Sequence, residues 1–154
     1  MSASAPASAS ASAPTRADLL ALLAAITTAQ WQDFAAAASR HGLTAMQAKV
    51  LAQLDGGPLP MRAIAERLVC DASNITGIVD RLEAHGFVRR EVSAADRRVK
   101  NVVTTDSGRD TIRHVRAEMR ATHGALDTLD EAERASLYGM LDRMRPVMES
   151  RGQL

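Results

Sequence analysis

Between residues 73 and 100 the chain carries two sets of side chains suited to contact with a polyanion. The first set is Ser73, Asn74, Thr76, Gly77 and Arg81, on a face that also presents Asp80 and Ala84. At 100° per residue these fall opposite or beside Ile75, Ile78, Val79 and Leu82, so a helix would bury one face and present the other. Short Ser and Asn side chains can meet base edges or phosphates without holding a helix away from a groove. Gly77 adds no contact of its own but lets the backbone come close. Taken alone, this face is matched equally well by an ordinary amphipathic helix in water. The second set, Asp96-Arg97-Arg98 with Lys100, changes that balance. Arginine at a slender hairpin tip can enter a narrow, electronegative minor groove. Asp96 fits there as a brace: an ion pair to one arginine would hold the tip and leave the other free. Helix and tip, in this order and spacing, outweigh the reading of two solvated charged surfaces.

Such side chains need a frame, and the apolar periodicity supplies one. Thr15 with Asp18 three residues later starts a helix that carries Leu19, Leu22, Leu23, Ile26, Phe34 and Ala37 and stops at His41-Gly42. Thr44 caps a second helix with Met46, Val50, Leu51 and Leu54 as its stripe, and Asp55-Gly56-Gly57-Pro58 breaks the chain. A short helix from Met61 buries Met61, Ile64, Ala65 and Leu68. The tight connection Val69-Cys70-Asp71 leads to the helix described above, capped by Asp71 or Ser73 and ended by Gly86. Two short helices so closely joined form a helix-turn-helix. The period then changes to alternation: 87–92 and 99–105 read as two strands around the polar tip. Thr105 caps a further helix, and Asp130 with Glu133 caps a last one bearing Leu137, Met140, Leu141, Met144, Val147 and Met148. The fold expected is mainly α with a small β-wing. A winged helix-turn-helix lobe at about 58–105 is flanked by dimerisation helices at 16–40 and 106–150. The first and last helices carry more apolar surface than one lobe can cover, and a second subunit related by a two-fold axis is the economical cover.

Composition sets the outer limits. The chain has 154 residues, enough for one domain, with 46% hydrophobic but only 3% aromatic residues, which favours packed helices over a β-sandwich. The net charge is +1, yet residues 81–100 hold six basic groups against three acidic ones. A local basic patch on a nearly neutral protein indicates a defined polyanion site. Residues 1–15 are almost wholly Ser, Ala and Pro and read as a disordered tail, without the positive start and apolar run of a secretory signal. No apolar stretch approaches the ~20 residues of a membrane helix, so the chain reads as cytosolic with no membrane partner. A single cysteine, Cys70, excludes a disulfide framework and Cys-rich zinc patterns, and reads as a small buried residue. The four histidines form no metal spacing, and no cofactor is expected.

The residues quoted so far, with several others, resemble the multiple antibiotic resistance regulator (MarR) family over roughly 16–150. The shared pieces are Gly42-Leu43-Thr44 with Gln47 and Val50-Leu51, then Ile78-Val79-Asp80-Arg81-Leu82-Glu83 through Gly86-Phe87-Val88. Most specific is Asp96-Arg97-Arg98 followed by Val102, Thr105 and Gly108. Thr104 stands where the family usually has leucine, and Gly77 where many relatives carry a larger, often basic residue. The resemblance implies a homodimer whose first, fifth and sixth helices interlock and whose two winged helices read a pseudo-palindromic operator in double-stranded DNA. It implies that Arg97 enters the minor groove while Asp96 and Arg98 pair. It further implies a repressor released by a small aromatic or phenolic ligand, in a cleft for which Trp31, His41 and Met46 are candidates by position.

Two other classes fare worse. An enzyme would have to do without a glycine-rich phosphate loop, a metal-ligand cluster or a nucleophile beside a base. A winged helix that binds protein would leave the Arg97-Arg98 tip and the small polar face of the preceding helix without a use.

Overall fold

Four helix starts in this chain are written in local side-chain chemistry. In the computed structural model, which describes residues 13–93 and 96–151, Thr15 and Asp18 exchange bonds to each other's backbone N–H at the head of helix α1 (Arg16–Arg40). Thr44 and Gln47 do the same for α2 (Ala45–Gln53). Thr105 accepts from the Gly108 N–H at α5 (Asp106–Ala117), and Asp130 and Glu133 form the reciprocal pair at α7 (Glu131–Arg151). Each pair satisfies donors that a helix leaves orphaned in its first turn.

Between α2 and α5 lie a single 3₁₀ turn, 54–56, then strand β1 (Leu59–Pro60), α3 (Met61–Leu68), α4 (Ala72–Ala84), β2 (Val88–Val92) and β3 (Lys100–Thr104). The strands form one antiparallel sheet in the order β1-β3-β2, with Val88 opposite Thr104 and Val92 opposite Lys100. Strand β1 was not expected: a two-residue segment beside Pro58 carries no period of its own and exists only because β3 offers a free edge, pairing Leu59 with Val102. The region after residue 105 also differs from expectation. Three helices replace two, because the chain breaks at Glu118–Met119 and restarts as α6 (Arg120–Asp127).

One core joins these pieces. Leu51, Leu54, Ile64, Ile75, Val79, Leu82, Val88, Val102, Ile112 and Val115 are almost wholly enclosed, with Phe34, Ala37 and Ala38 of α1 beside them. The first half of α1, all of α6 and α7 contribute no buried residue among those described. Of the 1–15 tail, residues 1–12 lie outside the described residues.

Candidate nucleic-acid interface

Helix α4 is held as a rod by Ile75, Ile78, Val79 and Leu82, all buried, so its opposite face is fixed in direction. That face exposes Ser73, Asn74, Thr76 and Arg81, with Gly77 half-buried among them. Asp71 occupies the N-cap position, as one of the two expected alternatives, but its carboxylate makes no capping bond. At the other end Gly86 turns left-handed (φ +74°) and the Phe87 N–H returns to the Leu82 carbonyl at 2.9 Å. His85 sits at the helix end, its Nδ1 2.6 Å from the Arg81 carbonyl oxygen. The Thr76 hydroxyl donates to the Ala72 carbonyl at 2.9 Å, which leaves its lone pairs facing outward as acceptors. A methyl group added at Gly77 would meet no atom within 4 Å. The fold therefore does not need glycine here, although glycine inside a helix costs about 1 kcal/mol relative to alanine.

The six basic residues from Arg81 to Lys100 divide into two groups. Arg89 pairs with Glu91 along β2 at 2.5 Å. Arg90 reaches back from β2 to α4, where it holds Asp80 at 2.6 Å and also Glu83, whose carboxylate accepts from the Arg90 N–H as well. The hydrogen bond to Asp80, with Glu83 adding to it, makes the Arg90 guanidinium harder still to deprotonate. Arg90 thus ties the wing to α4, a role that the sequence reading missed. The only signal for it was a pair of acids, Asp80 and Glu83, one turn apart and just ahead of an arginine. Arg81, Arg97, Arg98 and Lys100 have no acidic partner among the described residues.

The wing tip closes through Ser93 N–H to the Val99 carbonyl and Val99 N–H to the Asp96 carbonyl, at 2.9 and 3.0 Å. Ala94 and Ala95 lie outside the described residues. The expected ion pair of Asp96 with an arginine is not found among the described residues; its Oδ1 instead accepts from the backbone N–H of Arg98 at 2.9 Å. The carboxylate is thus engaged by an amide two residues on, and Arg97 and Arg98 are both exposed. At the wing's base, the Thr105 hydroxyl donates to the Gly86 carbonyl at 2.7 Å, clamping α5 to the end of α4. Gly108 completes this clamp: a Cβ there would lie 2.1 Å from the Phe87 carbonyl oxygen. Thr104, in the place of the family's leucine, is buried beside Arg109, which donates to its carbonyl at 3.0 Å.

The turn into α4 holds a second feature that the sequence reading missed. Helix α3 ends with Val69 N–H on the Glu66 carbonyl and Cys70 N–H on the Ala65 carbonyl, at 3.3 and 3.0 Å. This is the Schellman arrangement, whose left-handed residue is usually glycine. Here it is Val69, at φ +51° and 91% exposed. The left-handed conformation costs an L-residue roughly 1–2 kcal/mol and suits a β-branched one least. Cys70 beside it is half-buried against the core, with its thiol on the Leu68 carbonyl.

Of the cleft candidates, Trp31 lies on α1, His41 at its C-cap and Met46 on α2. Trp31 stacks on Phe34 at 5.7 Å between centroids, with Lys49 Nζ 5.1 Å over its ring. His41 Nε2 lies 3.1 Å from Glu118, and its ring stacks on His114 at 6.1 Å. Met46 packs against the core. An apolar cavity of about 230 Å³ lies instead between α1 and α6, lined by Ile26, Ala29, Gln30, Ala121, Ala125 and Leu126 among others. No group of metal-ligating side chains occurs among the described residues, and no helix there is long and apolar enough to cross a membrane.

This geometry has known counterparts. The model of the MarR family matches residues 41–99, from the end of α1 to the end of the wing turn. The chain belongs to the MarR family. It is 33% identical over 107 residues to the HTH-type transcriptional regulator YfiV of Bacillus subtilis, covering 68% of this chain and 66% of that protein. It is 32% identical over 120 residues to TtmR of Methylorubrum extorquens, covering 73% of this chain and 58% of that one. These alignments thus span about two thirds or less of the length of the curated relatives. Among solved structures, CouR of Rhodococcus jostii RHA1 bound to p-coumaroyl-CoA superposes with a TM-score of 0.68 at 26% identity, over 86% of this chain and 90% of that one. The MarR-family winged helix is therefore the fold of this chain, and its curated relatives are transcriptional regulators rather than enzymes.

Proposed function

We propose that this MarR-family chain binds a pseudo-palindromic operator in double-stranded DNA as a homodimer, and that it is a repressor released by a small aromatic or phenolic ligand. The observation that carries the DNA part is the sorting of the basic residues. Arg89 and Arg90 are paired with acids of the lobe itself, whereas Arg81, Arg97, Arg98 and Lys100 have no acidic partner among the described residues and stand on the exposed helix face and the wing. In this reading residues 58–105 form the DNA-binding lobe. Ser73, Asn74 and Thr76 meet base edges or phosphates in the major groove, Gly77 admits the backbone, and Arg97 enters the minor groove, with Arg81, Arg98 and Lys100 on phosphates. Residues 16–40 and 106–150 supply the dimer contact, supported by exposed Leu19, Leu22 and Ile26 on α1 and exposed Leu137, Leu141 and Met144 on α7. The ligand part is supported by CouR, which holds p-coumaroyl-CoA. Trp31, His41 and Met46 would face the cleft between lobe and dimer helices.

Fluorescence anisotropy on duplexes recovered by selection from a randomised pool, and on random duplexes, tests the reading at several salt concentrations. Arg97→Ala should weaken binding to all duplexes and reduce the salt slope by about one. Asn74→Ala should cost about 1–3 kcal/mol on the selected duplex and less on random DNA. Asp96→Ala should have a milder effect than Arg97→Ala, since both arginines remain and only the amide brace is lost. If Arg97→Ala binds like wild type at every salt concentration, the wing is only a solvated turn.

A further inference from the structure

Val69 combines two features that the chain itself does not reward. Its backbone sits at φ +51°, where glycine would be unstrained, and its isopropyl group is 91% exposed, so burial within the chain returns nothing. Strained residues of this kind persist where the side chain is used, and the inference runs from the observed outlier to a role. Its surroundings indicate the use. Val69 shares one open cavity, between α3 and the start of α4, with Arg62, Asp71, Ala72 and Asn74. A duplex seated on Asn74 would therefore bring its groove edge to Val69. Among base edges in the major groove, the one that an apolar side chain can recognise is the thymine 5-methyl group.

We propose that Val69 is a specificity-determining residue of the DNA interface, its isopropyl group packing on a thymine methyl next to the base read by Asn74. The inference rests on the DNA-binding reading above and sharpens it: the turn of the helix-turn-helix, and not only α4, selects sequence. Arg62 and Glu66 pair with each other on α3 at 2.7 Å; Asp71 lines the same cavity, and Val69 is its largest apolar side chain.

The test is a cycle between protein and DNA, using the full chain and a duplex recovered from a randomised double-stranded pool. In Val69→Gly the strain and the side chain are both removed; in Val69→Ala the strain stays and the methyl groups go. Both variants should bind the selected duplex about threefold to tenfold more weakly, the loss expected for one or two buried methyl groups. Binding to random duplexes should be unchanged, and Val69→Gly should melt higher than wild type. Replacing the thymines near the Asn74 contact by uracil, one at a time, should find one position at which wild type weakens by the same factor while both variants do not. Wild-type affinity in Val69→Gly, an equal loss on random DNA, or a uracil scan without such a position would each overturn the proposal. If wild type itself binds no duplex, the DNA-binding reading falls and this inference with it. If wild type binds and Arg97→Ala weakens binding while Val69→Gly does not, this inference alone is lost.

Discussion

Helices α4 and α7 carry nearly the same apolar rhythm and have opposite fates. In α4, Ile75, Ile78, Val79 and Leu82 are all buried in the chain's own core. In α7, Leu137, Met140, Leu141, Met144, Val147 and Met148 recur at similar spacing and are all exposed, from 37% for Leu137 to 65% for Met148. Periodicity therefore tells which face of a helix is apolar, but not which surface covers it. The lobe around α4 is complete within one chain. The arm made by α6, α7 and the first half of α1 is not, and under the proposed function its cover is a second copy.

The largest effects should separate these two kinds of surface. Leu82→Ala removes a fully enclosed side chain and should lower the stability of the chain by about 2–5 kcal/mol at any concentration, as denaturant titration would show. Leu141→Asp should leave the lobe folded but bury an unpaired charge in the proposed dimer, at about 3–5 kcal/mol of association free energy. Sedimentation should then show a monomer where wild type is a dimer, with a melting temperature that depends on concentration only in wild type. A Leu141→Asp protein that remains dimeric would remove α7 from the interface.

A smaller pair of effects contrasts two glycines. Gly108→Ala drives a methyl group into the Phe87 carbonyl, which is backbone and cannot move aside. It should cost about 1–3 kcal/mol by shifting α5 from the end of α4. Gly77→Ala meets open space and should stabilise α4 by up to about 1 kcal/mol, yet weaken DNA binding if the duplex lies against that face. Thermal melts and anisotropy on the same two proteins read both signs. A Gly77→Ala variant that is more stable and binds DNA as tightly as wild type would show that close approach is not used there.

The smallest effect joins the two regions. Asp33 on α1 accepts from the Thr122 N–H at 2.8 Å and so caps α6, whose own N-cap position, Met119, makes no side-chain bond. That backbone bond holds the Asp33 carboxyl below its ordinary value of 3.8. Glu118 is lowered in the same way, first by its bond to Arg40 and then by His41. Because both pKa values are depressed on folding, this stability is fully present above the ordinary carboxylate range and is lost as the pH falls through the lowered values. Both groups are only half-buried and remain in contact with solvent, so the effect is modest. Melting curves from neutral pH down to about pH 3 should show Asp33→Asn losing less stability on acidification than wild type. Identical acid sensitivity in the two proteins would exclude this contact as a contributor.

What the sequence determined by itself was whatever is decided within about one helical turn or one strand pair. The four capping pairs, the stops at Gly42 and Gly86, the apolar stripe of α4 and the change to alternation at Phe87 are all short-range, and all are read from neighbouring residues. So is the order of exposed residues, from Ser73 to Lys100, that marks the candidate interface. Only the tertiary structure decided which charges are spent and which are free. Asp80 looks like part of the exposed face until Arg90, ten residues on, folds back and claims it together with Glu83. The two-residue strand β1, the break between α5 and α6, and the capping of α6 by Asp33 likewise depend on partners remote in the chain. Val69 belongs with them: its left-handed backbone at the turn between α3 and α4 has no glycine in the sequence to announce it. Local chemistry fixes where elements start, stop and face, whereas burial and ion pairing depend on distances that only packing creates.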